Sequence, residues 1–476
     1  MRYIPVIGLE IHAQLLTNTK IFCSCLNEFG KKPNTLVCPI CLGSPDSLPS
    51  INMQAVELGI KSGLVLNCKI NNKSSFDRKN YISPDLPKGY QITQFYHPIC
   101  ENGVVNVNNK DIHIERIHLE EDAGKITRHN NELFVDHNRC GVPLIEIVTA
   151  PDFHSANDVA DFVHEVALRL KYAEICNSKL EQGSLRVDVN ISVMPENSAI
   201  LGTRAEIKNL NSIKSIKQAI DYEILRQTDL ISNGRTVESE TRNFDEKTRK
   251  TYPMRKKESA SDYRYIPEPD LPDLHISDDE INKIHNEIPQ MPFERFIKYT
   301  KNYNLSDVEA NMLIENKIIS DYFDKVVNIY KSYKTIKNII LIEINRNLNK
   351  LQLDFEEINI LPEHTAQLAR LYDENKITKQ ALSKIVELMF ESTLSPLNIA
   401  KKNNLLMNDN QEIIKNAVAE VIKANGNAVK EYTEGNEKAF KYLIGQIFRI
   451  TGKNTNPDTV SKHLTEYLDD LPKIDK

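Results

Sequence analysis

The spacing of apolar residues changes once along this chain, and that change limits the fold more than any other feature. Up to about residue 270, apolar and polar residues alternate with a period of two in several short segments. Turn signals such as Pro84-Asp85, Lys88-Gly89 and Glu101-Asn102-Gly103 interrupt them, as expected of half-buried strands. One helix stands out in this region: Asp158 to Tyr172 puts Val159, Phe162, Val163, Val166 and Leu170 at helical spacing, with Ser155 as N-cap. Pro267, Pro269 and Pro272 then fall close together; proline continues neither a helix nor a central strand, so the first domain ends here. From Pro292 onward glycine becomes rare, helical patterns follow one another, and Ser306 with Glu309 has capping-box spacing. A final segment from about residue 406 holds short helices, a loop from Thr451 to Pro457 and a last helix around Val460 to Leu468. The reading is an α+β chain, with a β-rich domain over 1–290, an α-helical domain over 291–405 and a small α-helical tail domain over 406–476.

Composition narrows the function classes. With 476 residues, 40% hydrophobic and 26% charged, the chain can build about two to four packed units. Its formal net charge of -6 disfavours a general nucleic-acid surface, which rests on excess Lys and Arg, so any such contact is local. No apolar run reaches membrane-spanning length, and the opening MRYIPVIGLEIHAQL lacks the charged, apolar, small-residue order of a secretory signal. A cytoplasmic protein without membrane contact is expected.

Four of the eight cysteines lie within one short stretch. Cys23-Ser-Cys25, twelve residues, then Cys38-Pro-Ile-Cys41 is a pair of close thiol pairs, each able to bite one Zn²⁺ from a tight turn. Four protein ligands close the tetrahedron and leave no position for water, so the expected role is structural.

Several strands carry acids on one face. In VIGLEIHAQL, Ile7, Leu9, Ile11 and Ala13 alternate with Gly8, Glu10, His12 and Gln14. IERIHLEED sets Ile117 and Leu119 against Arg116, His118 and Glu120, and SLRVDVNISV sets Leu185, Val187, Val189 and Ile191 against Arg186, Asp188, Asn190 and Ser192. Arg204, Glu206 and Lys208 share a face of TRAEIKNL, and Glu146 stands inside the apolar run VPLIEIV. Carboxylates a few Å apart repel unless a cation lies between them, and a carboxylate among apolar neighbours carries a desolvation cost. Carboxylates with an imidazole suit Mg²⁺ or Mn²⁺, while Arg186, Arg204 and Lys208 suit an anionic substrate. The class of reaction indicated is metal-assisted phosphate chemistry. Phosphate-loop, GxGxxG and HExxH motifs are absent from the sequence, as is the Ser- and Gly-rich nucleophile region of an amidase. A metal-dependent nuclease, or a zinc-containing RNA-binding module without catalysis, stays open as a rival reading on these residues alone.

Longer stretches carry a resemblance: GLEIHAQL, the two cysteine pairs, SPDLPKGYQITQ, HLEEDAGK, NRCGVPLIEIVTAPD, SLRVDVNISV, EIKNLNS, ETR, MRKKE and DYRYIPEPDLP. In this order and over nearly the whole length, the chain resembles the B-subunit family of aspartyl/glutamyl-tRNA amidotransferases. The resemblance implies a cradle-shaped catalytic domain, a helical domain and a tail domain that contacts the tRNA body. It also implies an amidase A subunit and a small C subunit as partners, and ATP, Mg²⁺ and one structural Zn²⁺. The implied reaction transfers the γ-phosphoryl group of ATP to the side-chain carboxylate of Glu-tRNA(Gln) or Asp-tRNA(Asn). Ammonia from the amidase then gives Gln-tRNA(Gln) or Asn-tRNA(Asn). By the same resemblance Glu10, His12, Glu120 and Glu146 hold the principal Mg²⁺, and Asp188 and Glu206 belong to a second site. Lys88, Arg186, Arg204 and Lys208 are candidate phosphate contacts by charge. The sequence departs from the family pattern at Pro45-Asp46-Ser47, where a glycine is expected.

Overall fold

The computed structural model describes residues 2–469 apart from 131, 199, 257–259, 408–410 and 453–454. Lys257 and Glu258 of MRKKE, and Lys453 and Asn454 of the expected tail loop, therefore lie outside the described residues. The chain divides into two units, Met1–Pro292 and Phe293–Lys476.

A nine-stranded sheet organises the first unit. Its strands are β1 (Tyr3–Gln14), β2 (Lys69–Ile70), β3 (Cys100–Val107), β4 (Lys110–Glu121), β5 (Pro143–Thr149), β6 (Leu185–Pro195), β7 (Ala205–Leu210), β8 (Glu240–Asp245) and β9 (Lys250–Lys256). Across the sheet they run β9-β8-β7-β6-β1-β5-β4-β3-β2, so the N-terminal strand lies in the middle. Neighbours pair antiparallel except β7 and β8. A parallel pair needs a crossover, and the helix Ile213–Ser232 supplies it between those two strands.

Alternation decides which face is buried. Ile7, Leu9, Ile11 and Ala13 of β1 join Ile117, Leu119, Ile145, Ile147, Val187, Val189 and Ile191 in one apolar cluster with Val159, Phe162, Val163, Val166 and Leu170. These last residues come from the helix Ala156–Tyr172, whose N-cap Ser155 accepts a bond from the Asp158 N–H at 3.1 Å. Truncating one such fully buried aromatic costs about 3–5 kcal/mol. A buried ionic knot fixes the crossover helix: Glu223 accepts from Arg226 at 2.9 Å, from Arg242 of β8 at 3.0 Å and from Thr251 of β9. Beside the main sheet, Asp77–Asn80 pairs with Tyr90–Thr93 and with Ile266–Pro267 in a small three-stranded sheet.

The second unit is helical among its described residues. One apolar cluster gathers Tyr299, Phe323, Val326, Ile340, Leu368 and Ile385; another gathers Ile414, Val418, Leu443, Ile447, Val460 and Leu464. Ser306 and Glu309 form the capping box that their spacing indicates, and the last helix runs Pro457–Asp469.

Candidate functional site

Register brings the acidic strand faces together. Across the sheet, His12 lies opposite Glu146, and Glu146 lies opposite His118. Glu10 lies opposite Asp188, and Asn190 opposite Glu206. The result is two neighbouring groups of carboxylates on the face that the core helices leave uncovered.

In the first group His12 Nε2 is 3.4 Å from both Glu120 Oε1 and Glu146 Oε2, while His118 Nε2 is 3.3 Å from Glu146 Oε2. Burial alone would lower the pKa of His12, but Glu146 and Glu120 outweigh it and raise it to about 10. Burial likewise works against ionised Glu120, yet hydrogen bonds from His118 and His12 bring it down to about 2. Glu146 is held well below the carboxylate range by the same two imidazoles, against its own desolvation. One donor atom each from His12, Glu120 and Glu146 lies within 4.8 Å of the others. An octahedral Mg²⁺ with ligands at about 2.0–2.1 Å fits such a set, and the oxygen-rich donors suit that ion.

Glu10, Asp188 and Glu206 also offer donor atoms within 4.8 Å of one another. Here a side chain already supplies positive charge: Lys208 bonds Asp188 and, at 2.8 Å, Glu206. Its ammonium pKa rises because these two carboxylates outweigh burial. Asn190 donates to Glu10 at 3.0 Å and Thr241 to Glu206 at 3.1 Å.

Both groups line one cavity of about 580 Å³. Its walls include Arg116, Phe95, Tyr81, Tyr263 and Tyr265. Phe95 stacks on Tyr265 with centroids 4.0 Å apart, and Lys79 lies 4.8 Å from the Tyr263 ring. Burial, aided by Glu120, pushes the Tyr81 phenol up, and burial with Glu146 does the same for Tyr265, so both phenols remain proton donors at neutral pH.

The cations expected to meet phosphate are differently placed. Lys88 is bonded to Glu121, which also accepts the Ile92 N–H at 2.9 Å. Arg186 pairs with Asp122 at 2.9 Å. Arg204 precedes the first residue of β7 and is exposed. None of these three is among the cavity-lining residues, whereas Lys208 is. Sequence reasoning passed over Arg116 and His118 as site residues, although alternation set both on the face of Glu120. It also passed over the aromatic wall, whose signal was the tyrosine-rich DYRYIPEPDLP.

The cysteine pairs converge as their spacing indicates: one sulfur each from Cys23, Cys25, Cys38 and Cys41 lies within 4.8 Å of the others. Zn²⁺ with sulfurs at about 2.3 Å fits this set. The Cys23 thiol, the Cys38 N–H and the charge of Lys20 outweigh burial and hold Cys41 down to about 4, a thiolate ready for metal. Lys20 is itself fully buried, with its ammonium 2.7 Å from the Leu36 carbonyl and 3.7 Å from Cys41 Sγ. Asn34 and Asn138 tie the cysteine loop to residues 135–138 through bonds of 3.0 Å to the Val135 carbonyl and 2.7 Å from the Leu36 N–H. Where a glycine was expected, Asp46 takes a left-handed φ of 61°, a conformation aspartate tolerates better than most residues.

Comparison with known proteins shows the family. The GatB/GatE catalytic domain family matches residues 5–282, and the GatB domain family matches residues 321–468. The aspartyl/glutamyl-tRNA(Asn/Gln) amidotransferase B subunit of Ruminiclostridium cellulolyticum is 45% identical over 100% of this chain and 99% of its own. The like-named proteins of Clostridium botulinum and Brevibacillus brevis are 41% and 40% identical, over 98% and 99% of this chain and 100% of theirs. With one family matched over more than half its length and relatives matched end to end, the chain belongs to the family of aspartyl/glutamyl-tRNA(Asn/Gln) amidotransferase B subunits.

Proposed function

We propose that, within tRNA-dependent amidation, this chain performs the activation step, using ATP to phosphorylate the side-chain carboxylate of Glu-tRNA(Gln) or Asp-tRNA(Asn). The observation that carries this reading is the row His12, Glu146, His118 with Glu120 beside it, on the floor of an open cavity. A carboxylate resists ammonia because its leaving group would be oxide, whereas an acyl phosphate releases phosphate. In the first half-reaction a substrate carboxylate oxygen bonds the γ-phosphorus as the bond to the β–γ bridging oxygen breaks and ADP leaves. In the second, ammonia adds at the acyl carbon, phosphate leaves and nitrogen loses a proton. The protein's part is positioning and charge neutralisation.

Glu10, His12, Glu120 and Glu146 are the residues to hold Mg²⁺, with Asp188 and Glu206 next to them. A divalent cation bound there would neutralise phosphoryl charge. Tyr81 and Tyr265 offer hydroxyl donors, and the stacked Phe95 and Tyr265 close one wall against water. Ammonia is to come from an amidase A subunit, with a small C subunit completing a heterotrimer. The segment 406–476 is to contact the tRNA body, and 1–290 is to carry the chemistry. The heterotrimer is to be cytoplasmic; no helix among the described residues is long and apolar enough to cross a membrane. Zn²⁺ on Cys23, Cys25, Cys38 and Cys41 is to hold the loop that Asn34 and Asn138 tie down.

The test is ADP formation by the chain assembled with its A and C partners, given Mg²⁺, ATP and glutamine, with and without Glu-tRNA(Gln) or Asp-tRNA(Asn). Release that depends on the mischarged tRNA is the expected result; equal release without tRNA defeats carboxylate activation. For zinc, the wild-type chain should hold one equivalent by elemental analysis, and Cys38→Ser should lose it. Unchanged metal content in that variant removes the zinc assignment.

A further inference from the structure

We infer that Arg116 is the residue of this cavity that grips the phosphoryl oxygens of the nucleotide. This rests on the phosphoryl-transfer reading above and deepens it. Charge pairing is the argument. Lys88, Arg186 and Lys208 each have a carboxylate partner within the chain: Glu121, Asp122, and Asp188 with Glu206. Lys79 also lines the cavity without a carboxylate partner among the described residues, but its ammonium lies 5.9 Å and 4.8 Å from the rings of Tyr81 and Tyr263 and offers no planar fork. Arg116 lines the cavity, and although Glu101 stands opposite it on β3, its guanidinium forms no ion pair with a carboxylate among the described residues. Its Nε is shielded from solvent and has no hydrogen-bond partner, and its nearest aromatic contact is the Phe95 ring at 5.9 Å.

Position strengthens the case. Arg116 stands two residues before His118 on β4, so both project from the same face. Across the sheet its row runs Glu101 of β3, Arg116, Val148 and Glu10, next to the row of His12, Glu146 and His118. A guanidinium presents a planar fork of donors that matches two phosphoryl oxygens at once, which a lysine ammonium does not. A desolvated donor without a partner, one row from a group of candidate metal ligands, is a site waiting for an anion. The chemistry it selects is a nucleotide phosphate, and a phosphodiester of the tRNA acceptor end carries the same oxygens.

Steady-state kinetics of the assembled heterotrimer separate the two sources. Arg116→Met is expected to raise KM for ATP by about tenfold or more, leave KM for the mischarged tRNA within about twofold, and weaken Mg·ADP binding in calorimetry to match. Arg116→Lys keeps the charge and loses the fork, and should recover part of the ATP affinity; it also guards against a Met variant that fails to fold. An ATP KM unchanged in both variants overturns the inference, and so does a rise confined to the tRNA. Failure of the underlying reading looks different, because wild type would then form amide without consuming ATP.

Discussion

The sheet face of the first unit and the helices of the second both bury acidic side chains, and they neutralise them in opposite ways. In the helical unit the buried and half-buried acids that pair do so with a guanidinium or ammonium. Arg295 joins Asp321 and Asp324, Lys298 lies 3.0 Å from Asp324, Lys337 bonds Glu309 and Arg346 bonds Glu343. On the sheet face, Glu120 and Glu146 face His12 and His118. A guanidinium or ammonium leaves its partner's lone pairs committed. An imidazole can give up its proton, and its nitrogen then becomes a ligand for the cation that takes over the neutralising role. An acid whose partner carries a fixed charge therefore marks architecture, and one that faces imidazoles marks, on the proposed function, a place for chemistry.

The largest effect should come from attacking the sheet group. Glu146→Gln keeps the shape and removes the charge, and tRNA-dependent ADP formation should fall by about 10²- to 10³-fold. The urea midpoint should fall only modestly, because His12 and His118, which hold the Glu146 charge, can lose their own protons once it is gone. A variant that unfolds instead, with normal activity in its folded fraction, would erase the distinction between the units. The mirror experiment is Arg295→Met in the helical unit. It takes one partner from Asp321 and Asp324, which keep Lys317 at 2.9 Å and Lys298 at 3.0 Å, and should cost about 1–2 kcal/mol in urea unfolding, with ADP formation per folded molecule unchanged.

The smallest effect sharpens the comparison through pH. The bond from Lys337, with those from Ser306, holds Glu309 down to about 2 against a reference of 4.5. A folded pKa below the unfolded one contributes stability that is fully present above pH 4.5 and is lost as pH falls toward 2. The group is only lightly buried, so Glu309→Gln should lower stability at neutral pH by about 1 kcal/mol or less. Wild type and variant should converge on titration below that window. A gap that persists under strongly acidic conditions would show that the pair contributes through packing rather than charge.

Alternation was enough to read which face Glu10, His12, Glu120, Asp188 and Glu206 occupy, because the strand period of two is a local property. It could not say which side chains those faces meet. Lys88 and Arg186 looked available for phosphate, but Glu121 and Asp122, from the same HLEEDAGK stretch, take them through register and loop closure. The helix Ile213–Ser232 escaped the sequence reading for a related reason. Its buried face mixes Ile216, Ala219 and Ile220 with Glu223 and Gln227, and that apolar stripe is broken by polar groups whose partners lie on β8, β9 and β6. The capping box at Ser306 was legible because both its groups lie within four residues.

The central strand also constrains how this sequence can change over time. β1 carries core residues on one face and Glu10 with His12 on the other, and it pairs with β6 over Tyr3–Ala13 and with β5 over Glu10–Gln14. Substitutions along it act one side chain at a time. Inserting or deleting a single residue there would turn Glu10 and His12 into the core and present Leu9 and Ile11 to the cavity, because a one-step slip exchanges the two faces. The length of this segment is thus under tighter restraint than any one of its letters, and viable variants should differ along β1 by replacement and not by gain or loss of residues.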